Sequence, residues 1–497
     1  MQDFCDIAAR ATGITCHSDK VKQGCIFVAI RGRQADGNAF AQAAAAKGAL
    51  AVVTDCPDRL PPLLIPVISV QDARLALSEL AAAFYDNPSH KLNLVGITGS
   101  NGKTTIACML EHIFYQAGCQ TGLIGTVRVN TGKSSFPSTL TTPDAVSIHK
   151  YLAQMVENKV THAAMEVSAQ GVDMHRVAHV RFAVGLLSNV CADHLDFHGS
   201  FASYLEAKSR FLDLLDPATP LIINIADPYC QAIASRFSGH QITVGFDSQA
   251  DVLARITQVT AYGSLFILEI NKPLTTTSGQ SLPIARHAFR LSIPGRHNIE
   301  NALLASTAAL IQDIAPEVIA DALANFKGVE RRMNVFHTAG LTIVDDTALN
   351  PGSIDAVFDT IAAFRYNRLI VVNAIRGQRG PAINAANAAV IACRGRTLPF
   401  NLVITASTDH VSQADAVSDE ERMAFLTTLN NLKVSYTYLS TLTKAIRAAL
   451  NEAVPGDLIL LIGAQGMDAG RQVLTTLVNA AGVSHSPEPC PLGSFLT

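Results

Sequence analysis

Residues 93–118, NLVGITGSNGKTTIACMLEHIFYQAG, constrain the fold more than any other stretch of the chain. An apolar run that suits a buried strand passes directly into a glycine-containing loop and then into an amphipathic helix. In that arrangement the loop N–H groups and the helix N-terminus face a common anion, so the segment predicts a phosphate site. Lys103 adds a point charge and Thr104 a hydroxyl suited to Mg2+. The long phosphate-loop pattern wants glycine five residues before Gly102, where Ile97 stands, so the match is to the shorter G-x-x-G-K-T form. A plain glycine turn entering a helix is the competing reading. The preceding strand, the lysine and the paired threonines favour phosphate, which makes Gly99, Ser100, Asn101, Gly102, Lys103, Thr104 and Thr105 the candidate nucleotide-binding residues.

The alternation of apolar runs with helical patterns extends along the chain. GCIFVAI, an Ala-rich helix and LAVVTD form a β-loop-α-β unit near the start, followed by LLIPVISV and a helix over 72–85. HAAMEVSA, AVGLLSNV and PLIINIAD read as parallel core strands, and the polar stretch 270–290 as a hairpin or insertion. LTIVDD, RLIVVNAI, LVITAS and DLILLIGA open a further, mostly parallel sheet. At roughly 150 residues per domain the length predicts three domains. The turn-forming DNPSHKL and the region 327–332 place their limits at 1–92, 93–330 and 331–497. With 38 basic against 41 acidic residues, no charge excess marks a nucleic-acid binder. There is no apolar run of the length a spanning helix needs and no basic, apolar leader at the start, so the expectation is a cytoplasmic protein. The ten cysteines are scattered without a C-x-x-C pair and are expected to be reduced, mostly buried thiols.

Glu166 ends one core strand, and Asn189, Asp193, His194, Asp196 and His198 follow another, so both groups are expected at the carboxyl edge where the phosphate loop emerges. Oxygen ligands there suit Mg2+ bridging nucleotide phosphates. Taken alone, each of these residues reads equally as a solvated loop residue; the run DHLDFHG does not. Lys208, on the helix SYLEAKSRFL, reads from periodicity alone as a wet-face lysine.

With these residues in hand, the chain resembles the Mur ligase family, most of all its MurE type. The likeness covers residues 14–335 through ITCHSDKVKQGCIFVAIRGRQADGN, GITGSNGKTT, TLTTPDAV, AMEVSAQGVDMHRV, SNVCADHLDFHGSFASYLEAKSRF, PGRHNIENAL and RRM. The resemblance implies an α/β chain of three domains: a UDP-substrate domain, a central phosphate-loop ATPase domain with a parallel sheet, and a Rossmann-like C-terminal domain that brings the amine. It implies an ATP-dependent ligase that forms an amide through an acyl phosphate, extending UDP-MurNAc-L-Ala-D-Glu by one amino acid in peptidoglycan precursor synthesis. ATP and Mg2+ are the implied cofactors. Lys103, Glu166, His194 and Lys208 are the implied catalytic residues, with Lys208 carbamylated by CO2 and Thr104, Glu166, His194 and Lys208 around metal. Asn298, Arg332 and Arg379 are implied on the nucleotide. Ser18, Arg33, Gln34 and Ala35 are implied on uridine, and Thr141, Thr142, Ser168 and Arg176 on the muramoyl-dipeptide. The small-molecule acceptor and an amino acid or amine are the expected partners of a monomer, without nucleic acid or membrane insertion.

The chain also departs from the MurE pattern. D-S-R reads His17-Ser18-Asp19, E-V-S-S-H reads Glu166-Val167-Ser168-Ala169-Gln170, and a usual glutamine is Met174. D-N-P-R, whose arginine holds the distal carboxylate of diaminopimelate, is replaced by the stretch Ala406 to His410, and G-K-G-H-E by Gly463 to Asp468. D-Y-A-H-x-P is replaced by Asp345 to Pro351. The loop Asn373 to Gly380, with Arg376 and Arg379, reads as a cradle for ATP phosphate or a carboxylate, and Asp345 and Asp468 as a site for an incoming ammonium. Two further readings stay open: a paralogue that ligates a different carboxylate, and a non-catalytic nucleotide-binding homologue.

Overall fold

The structure is a computed structural model that describes residues 7–32, 35–193 and 195–480. Three sheets succeed one another along the chain. The first is parallel and sequential, made of Gly13–Thr15, Cys25–Ala29, Ala51–Thr54 and Val67–Ser69. Its helix Ala73–Phe84 starts where Asp72 accepts the N–H groups of Arg74 and Leu75, the side-chain cap that an aspartate supplies to orphan donors.

The second sheet has eleven strands, and its parallel centre runs Gln241–Gly245, Leu221–Asn224, Val184–Leu187, Asn93–Thr98, His162–Glu166, Thr121–Ile124. Both faces are covered, which is why these strands read as continuous apolar runs rather than alternating ones. Val95 and Ile97 pack with Ile106, Leu110 and Phe114 of the helix Lys103–Gln116 and with the helix Arg296–Leu310. Leu94 and Met165 pack on the opposite side with Ile148 and Leu152 of the helix Ala145–Glu157. Gly96 lies between them because a Cβ there would stand 2.6 Å from the Phe182 ring.

Val252–Thr260 joins one edge of this sheet parallel to Gln241–Gly245 and is continued antiparallel by Gly263–Ile270 and Ala285–Leu291, and Arg128–Asn130 and Ser135–Pro137 extend the other edge antiparallel. The hairpin expected over 270–290 is present as Leu274–Thr275 against Ser281–Leu282, but it is an excursion between two long sheet strands. The third sheet, ordered Asn334–Thr338, Leu341–Asp346, Leu458–Ile462, Leu369–Ala374, Asn401–Thr405, Thr437–Leu439, is parallel except for its first strand.

Eight described cysteines are free thiols, of which Cys25 and Cys230 are buried, Cys393 is exposed and five are intermediate. The expectation of mostly buried thiols therefore fails; a small, weakly polar side chain is tolerated at half-covered positions. Among the described residues, no helix is long and apolar enough to cross a membrane.

Phe114 is fully buried between the phosphate-loop helix and the central sheet. Phe114→Ala is expected to cost about 3–5 kcal/mol, read as a lowered transition temperature in calorimetry.

Candidate active site

The strand Asn93–Thr98 ends between two neighbours, Val184–Leu187 and His162–Glu166, and three chain segments meet at this carboxyl edge. The phosphate loop is held open by its surroundings. Gly99 has φ 146° and a Cβ there would lie 2.0 Å from Ser188 Oγ. Gly102 has φ 85° and a Cβ there would lie 2.3 Å from Asn301 Oδ1. Ser188 Oγ and Asn189 Nδ2 both donate to the Asn101 carbonyl, at 2.7 and 3.0 Å, and Asn101 N donates to Asn189 Oδ1 at 2.9 Å. Ser100 Oγ accepts from Cys191 N at 3.0 Å and lies 3.0 Å from the Tyr204 hydroxyl. Thr105 is buried on the core side of its helix.

Glu166 is 1% exposed and is the polar centre of the site. Its Oε2 accepts from Thr104 Oγ1 and Thr126 Oγ1, each at 2.9 Å, and its Oε1 from Thr126 N at 2.7 Å. With its hydrogen given to Glu166, Thr126 Oγ1 accepts from Thr141 Oγ1 at 3.1 Å. Thr142 Oγ1 donates to the Glu166 carbonyl at 3.0 Å and accepts from Ser168 N at 3.0 Å, and Arg176 Nη1 donates to the Thr142 carbonyl at 2.9 Å. Ser168 also caps the short helix Ala169–Asp173. The structure thus gathers Thr104, Glu166, Thr141, Thr142, Ser168 and Arg176 into one network.

Lys103 Nζ donates to the carbonyls of Gly99 and Ser100 at 2.8 and 2.9 Å. Burial pulls its ammonium below the usual lysine range, against Glu166 and Asp193. Lys208 is 1% exposed, so the wet-face reading of its helix is wrong: the side chain turns inward, its Nζ 4.6 Å from the centre of the Tyr204 ring. Burial first, and the positive charge of Lys103 second, hold its amine well below the ordinary lysine value. His194 and the side chain of Asp196 lie outside the described residues, as do Arg33 and Gln34. His198 Nδ1 stands 3.3 Å from Asp173 Oδ2, away from the Glu166 network. Ser18 and Ala35 both lie beyond strand ends at the carboxyl edge of the first sheet, where Lys47 Nζ donates to the Ser18 carbonyl and Gly32 N to that of Ala35, each at 2.8 Å.

Asn298 is buried in the first turn of the helix Arg296–Leu310 and accepts from Asn301 Nδ2 at 3.1 Å, next to Gly102. Arg332 is half-buried and close enough to oppose the burial that raises the carboxyl of Asp346, and to act on Lys103 and Cys108 as well. A cavity of about 460 Å3 opens between the helix Lys103–Gln116 and residues 326–330, with Cys108, His112, Val127, Phe326 and Val329 in its wall.

The third sheet's loops correct two expectations. The backbone cradle at 378–380 is filled from within: Glu421 accepts the N–H groups of Gln378, Arg379 and Gly380 at 3.1, 2.7 and 2.7 Å, so it is not open to phosphate. Arg379 donates to the neighbouring Gln378 carbonyl at 2.8 Å, whereas Arg376 reaches the central domain, 2.7 Å from Asp193 Oδ1. Asp345 and Asp468, read as a site for an ammonium, both bond to the Arg331 guanidinium. Burial still pushes the Asp345 carboxyl up to about 6.

Sequence reasoning missed Thr126, Asn350 and Glu421. Asn350 before Pro351 and the Ser418–Glu421 spacing are helix-start signals, but what each side chain does beyond its own helix depends on a distant loop.

Comparison with known proteins gives this geometry a family. Residues 10–85 match the Mur ligase family catalytic domain, 97–309 the Mur ligase middle domain and 331–465 the Mur ligase glutamate ligase domain. The chain belongs to the Mur ligase family, whose members are ATP-dependent acid–amino-acid ligases with three domains around a central ATPase. The Bacillus velezensis protein named UDP-N-acetylmuramoyl-L-alanyl-D-glutamate–2,6-diaminopimelate ligase is 30% identical over 93% of this chain and 90% of its own length. Its Geobacillus kaustophilus namesake is 31% identical over 90% and 88%. Among solved structures, MurF from Acinetobacter baumannii shares the fold at a TM-score of 0.69 and 20% identity, covering 96% of this chain and 98% of that one. MurF from Thermotoga maritima, in complex with ADP, does so at 0.67 and 17%, covering 96% and 99%.

Gly102→Ala places a side chain in the left-handed region, a cost of roughly 1–2 kcal/mol, and displaces Asn301. ATP binding measured by calorimetry is expected to weaken by roughly tenfold or more.

Proposed function

We propose that this ligase joins an amino acid to the free carboxylate of UDP-MurNAc-L-Ala-D-Glu through an acyl phosphate, a step in peptidoglycan precursor synthesis. The observation that carries the reading is the hydrogen-bonded junction at Glu166. Through Thr126 it links the phosphate loop to Thr141, and through its own carbonyl to Thr142, Ser168 and Arg176. Nucleotide-side and acceptor-side residues therefore share one carboxylate, as a reaction between γ-phosphate and acceptor carboxylate requires. The near full-length identity to ligases named for that acceptor supports the same substrate class. Ser18, Arg33, Gln34 and Ala35 of residues 1–92 are assigned to uridine.

In this mechanism the loop N–H groups and Lys103 hold the triphosphate of ATP, while Asn298, Arg332 and Arg379 serve the nucleotide from neighbouring elements. The cavity beside the phosphate-loop helix has the size for the purine, within a wall that mixes Cys108, Val127 and Phe326 with Glu111, Arg128 and Lys327. An acceptor oxygen attacks the γ-phosphorus, the bond to ADP breaks, and the amine then attacks the acyl carbon and expels phosphate. Approach of two anions is the electrostatic obstacle, and positive charge fixed at Lys103 lowers it without reorganisation. The hard oxygen donors of Thr104 and Glu166 would hold one Mg2+, which would neutralise phosphate charge, and a carbamate on Lys208 would help to organise a second, with His194 as a metal-associated residue. A neutral amine is the form that reacts with CO2, and the buried Lys208, beside Lys103, is disposed to be neutral.

Diaminopimelate, if it is the amine, is read as held in other than the usual way. At the stretch 406–410, Asp409 accepts from Leu442 N and Thr443 N at 2.8 and 3.1 Å as a helix cap, and His410 Nε2 lies 3.7 Å from the same carboxylate. No arginine stands in that stretch to clamp a distal carboxylate.

Phosphate release with ATP, Mg2+ and UDP-MurNAc-L-Ala-D-Glu is expected only when an amino acid from a donor panel is added, with mass spectrometry showing a UDP-linked product one residue heavier. Absence of turnover with every donor, in protein that binds ATP, would transfer the acceptor assignment to another carboxylate. With 13C-bicarbonate, a carbamate NMR signal is expected that disappears in Lys208→Ala, alongside a loss in kcat of roughly 100-fold or more; a signal unchanged in that variant would remove Lys208 as its site.

A further inference from the structure

The interface between the central and third sheets carries a buried ion pair that nothing in the reaction scheme uses. Asp193 is 2% and Arg376 6% exposed, and Arg376 Nη1 meets Asp193 Oδ1 at 2.7 Å. The same Nη1 donates to the Leu349 carbonyl at 3.1 Å, so one guanidinium holds both an acid of the central domain and the loop that precedes Asn350. Asn350 Nδ2 donates to Asp193 Oδ2 at 3.0 Å. It also forms a reciprocal amide pair with Asn101 of the phosphate loop, Nδ2 to Oδ1 at 3.0 Å and Oδ1 to Nδ2 at 3.3 Å. Its Oδ1 accepts from Ser353 N as the cap of the helix Pro351–Ile361.

Arg376 is itself fixed from behind. Its N–H donates to Asn384 Oδ1 at 3.2 Å and its carbonyl accepts from Asn384 Nδ2 at 2.8 Å. Glu421 clamps the next turn of the same loop through three N–H groups. A loop secured at both ends presents one arginine across a domain boundary, and removing one partner of such a pair weakens the neutralisation of the other charge in a dry interface. Here that charge would be Asp193, close enough to act on Lys103 and Lys208 and set beside the loop that must receive a triphosphate.

We propose that Arg376 is a positioning residue for ligation: by docking on Asp193 it seats the third domain on the phosphate loop through the Asn350–Asn101 pair. Seating then delivers the amine-bearing domain and neutralises an anion next to the nucleotide in the same movement. The inference rests on the reading of the phosphate loop as the ATP site, and it does not depend on which acceptor or amine is used.

The test uses the full chain as Arg376→Gln, Arg376→Lys, Asn350→Ala and the Arg376→Gln/Asn350→Ala double variant. Small-angle scattering with a non-hydrolysable ATP analogue is expected to show Arg376→Gln more extended than wild type and Arg376→Lys restored to near the wild-type radius. In turnover, Arg376→Gln is expected to lower kcat at least tenfold and raise KM for the amine, and to weaken direct ATP binding by a smaller factor than the fall in kcat. The double variant is expected to lose little more than the worse single one, since both residues serve one contact. A wild-type radius and unchanged kcat in Arg376→Gln would overturn the proposal. So would additive losses from Arg376 and Asn350, a readout that survives if one variant folds poorly. Scattering and ATP binding need neither acceptor nor amine, so a wrong substrate assignment fails in the turnover assay while these measurements still decide the role of Arg376.

Discussion

A single buried carboxylate organises the centre of this ligase. Glu166 ends a buried strand at the centre of the sheet, and an unpaired charge at that depth would be strongly unfavourable. Three donors answer it: the hydroxyl that opens the phosphate-loop helix, and the hydroxyl and N–H of Thr126 from the adjacent strand end. Those bonds fix Thr104 relative to Thr126, and Thr126 in turn fixes Thr141, so the phosphate loop and the segment carrying Thr141 are positioned together. Gly125 is part of the same constraint, because a Cβ there would stand 2.4 Å from Glu166 Oε1.

Beside this acid the molecule holds two lysines away from water, Lys208 the more deeply. Burial favours the neutral amine in each, and at Lys208 the charge of Lys103 adds to it. Phosphate anions relieve that strain at Lys103, and conversion of Lys208 to an anion would relieve it at the other end. The opposing carboxylate, Asp193, is taken up by Arg376 and Asn350 from the third domain, which sets the electrostatic balance of the loop through a contact that domain movement can make or break.

The third domain shows how residues that suggest a binding site can be satisfied by the fold itself. Glu421 occupies the N–H cradle before the helix Pro381–Arg394, Arg331 occupies Asp345 and Asp468, and a helix N-terminus occupies Asp409. In each case a group that a ligand could have used is already engaged by a partner far away in sequence. The departures from the MurE pattern in this domain thus form a consistent internal network rather than a scatter of losses.

The phosphate loop, the succession of α/β units and most of the parallel core strands were legible in the sequence because they are local. Strand periodicity, glycine where φ is positive, and a lysine and threonine at fixed spacing act within a few residues. The antiparallel strands that widen the central sheet were not legible, since their pairing joins Val252–Thr260 to Gly263–Ile270 and then Ala285–Leu291 across an intervening hairpin. Lys208 illustrates the boundary: its helix gives no periodic sign of burial, the family resemblance alone marked it, and only packing against Tyr204 and the loop carrying Cys191 removes it from water. What the sequence alone determined is the kind of chemistry, because backbone conformation and residue type at the loop are set locally. What only the tertiary structure decided is which charges are free and which are paired. Pairing depends on contacts such as Asp193 with Arg376, 183 positions apart, which no local rule encodes.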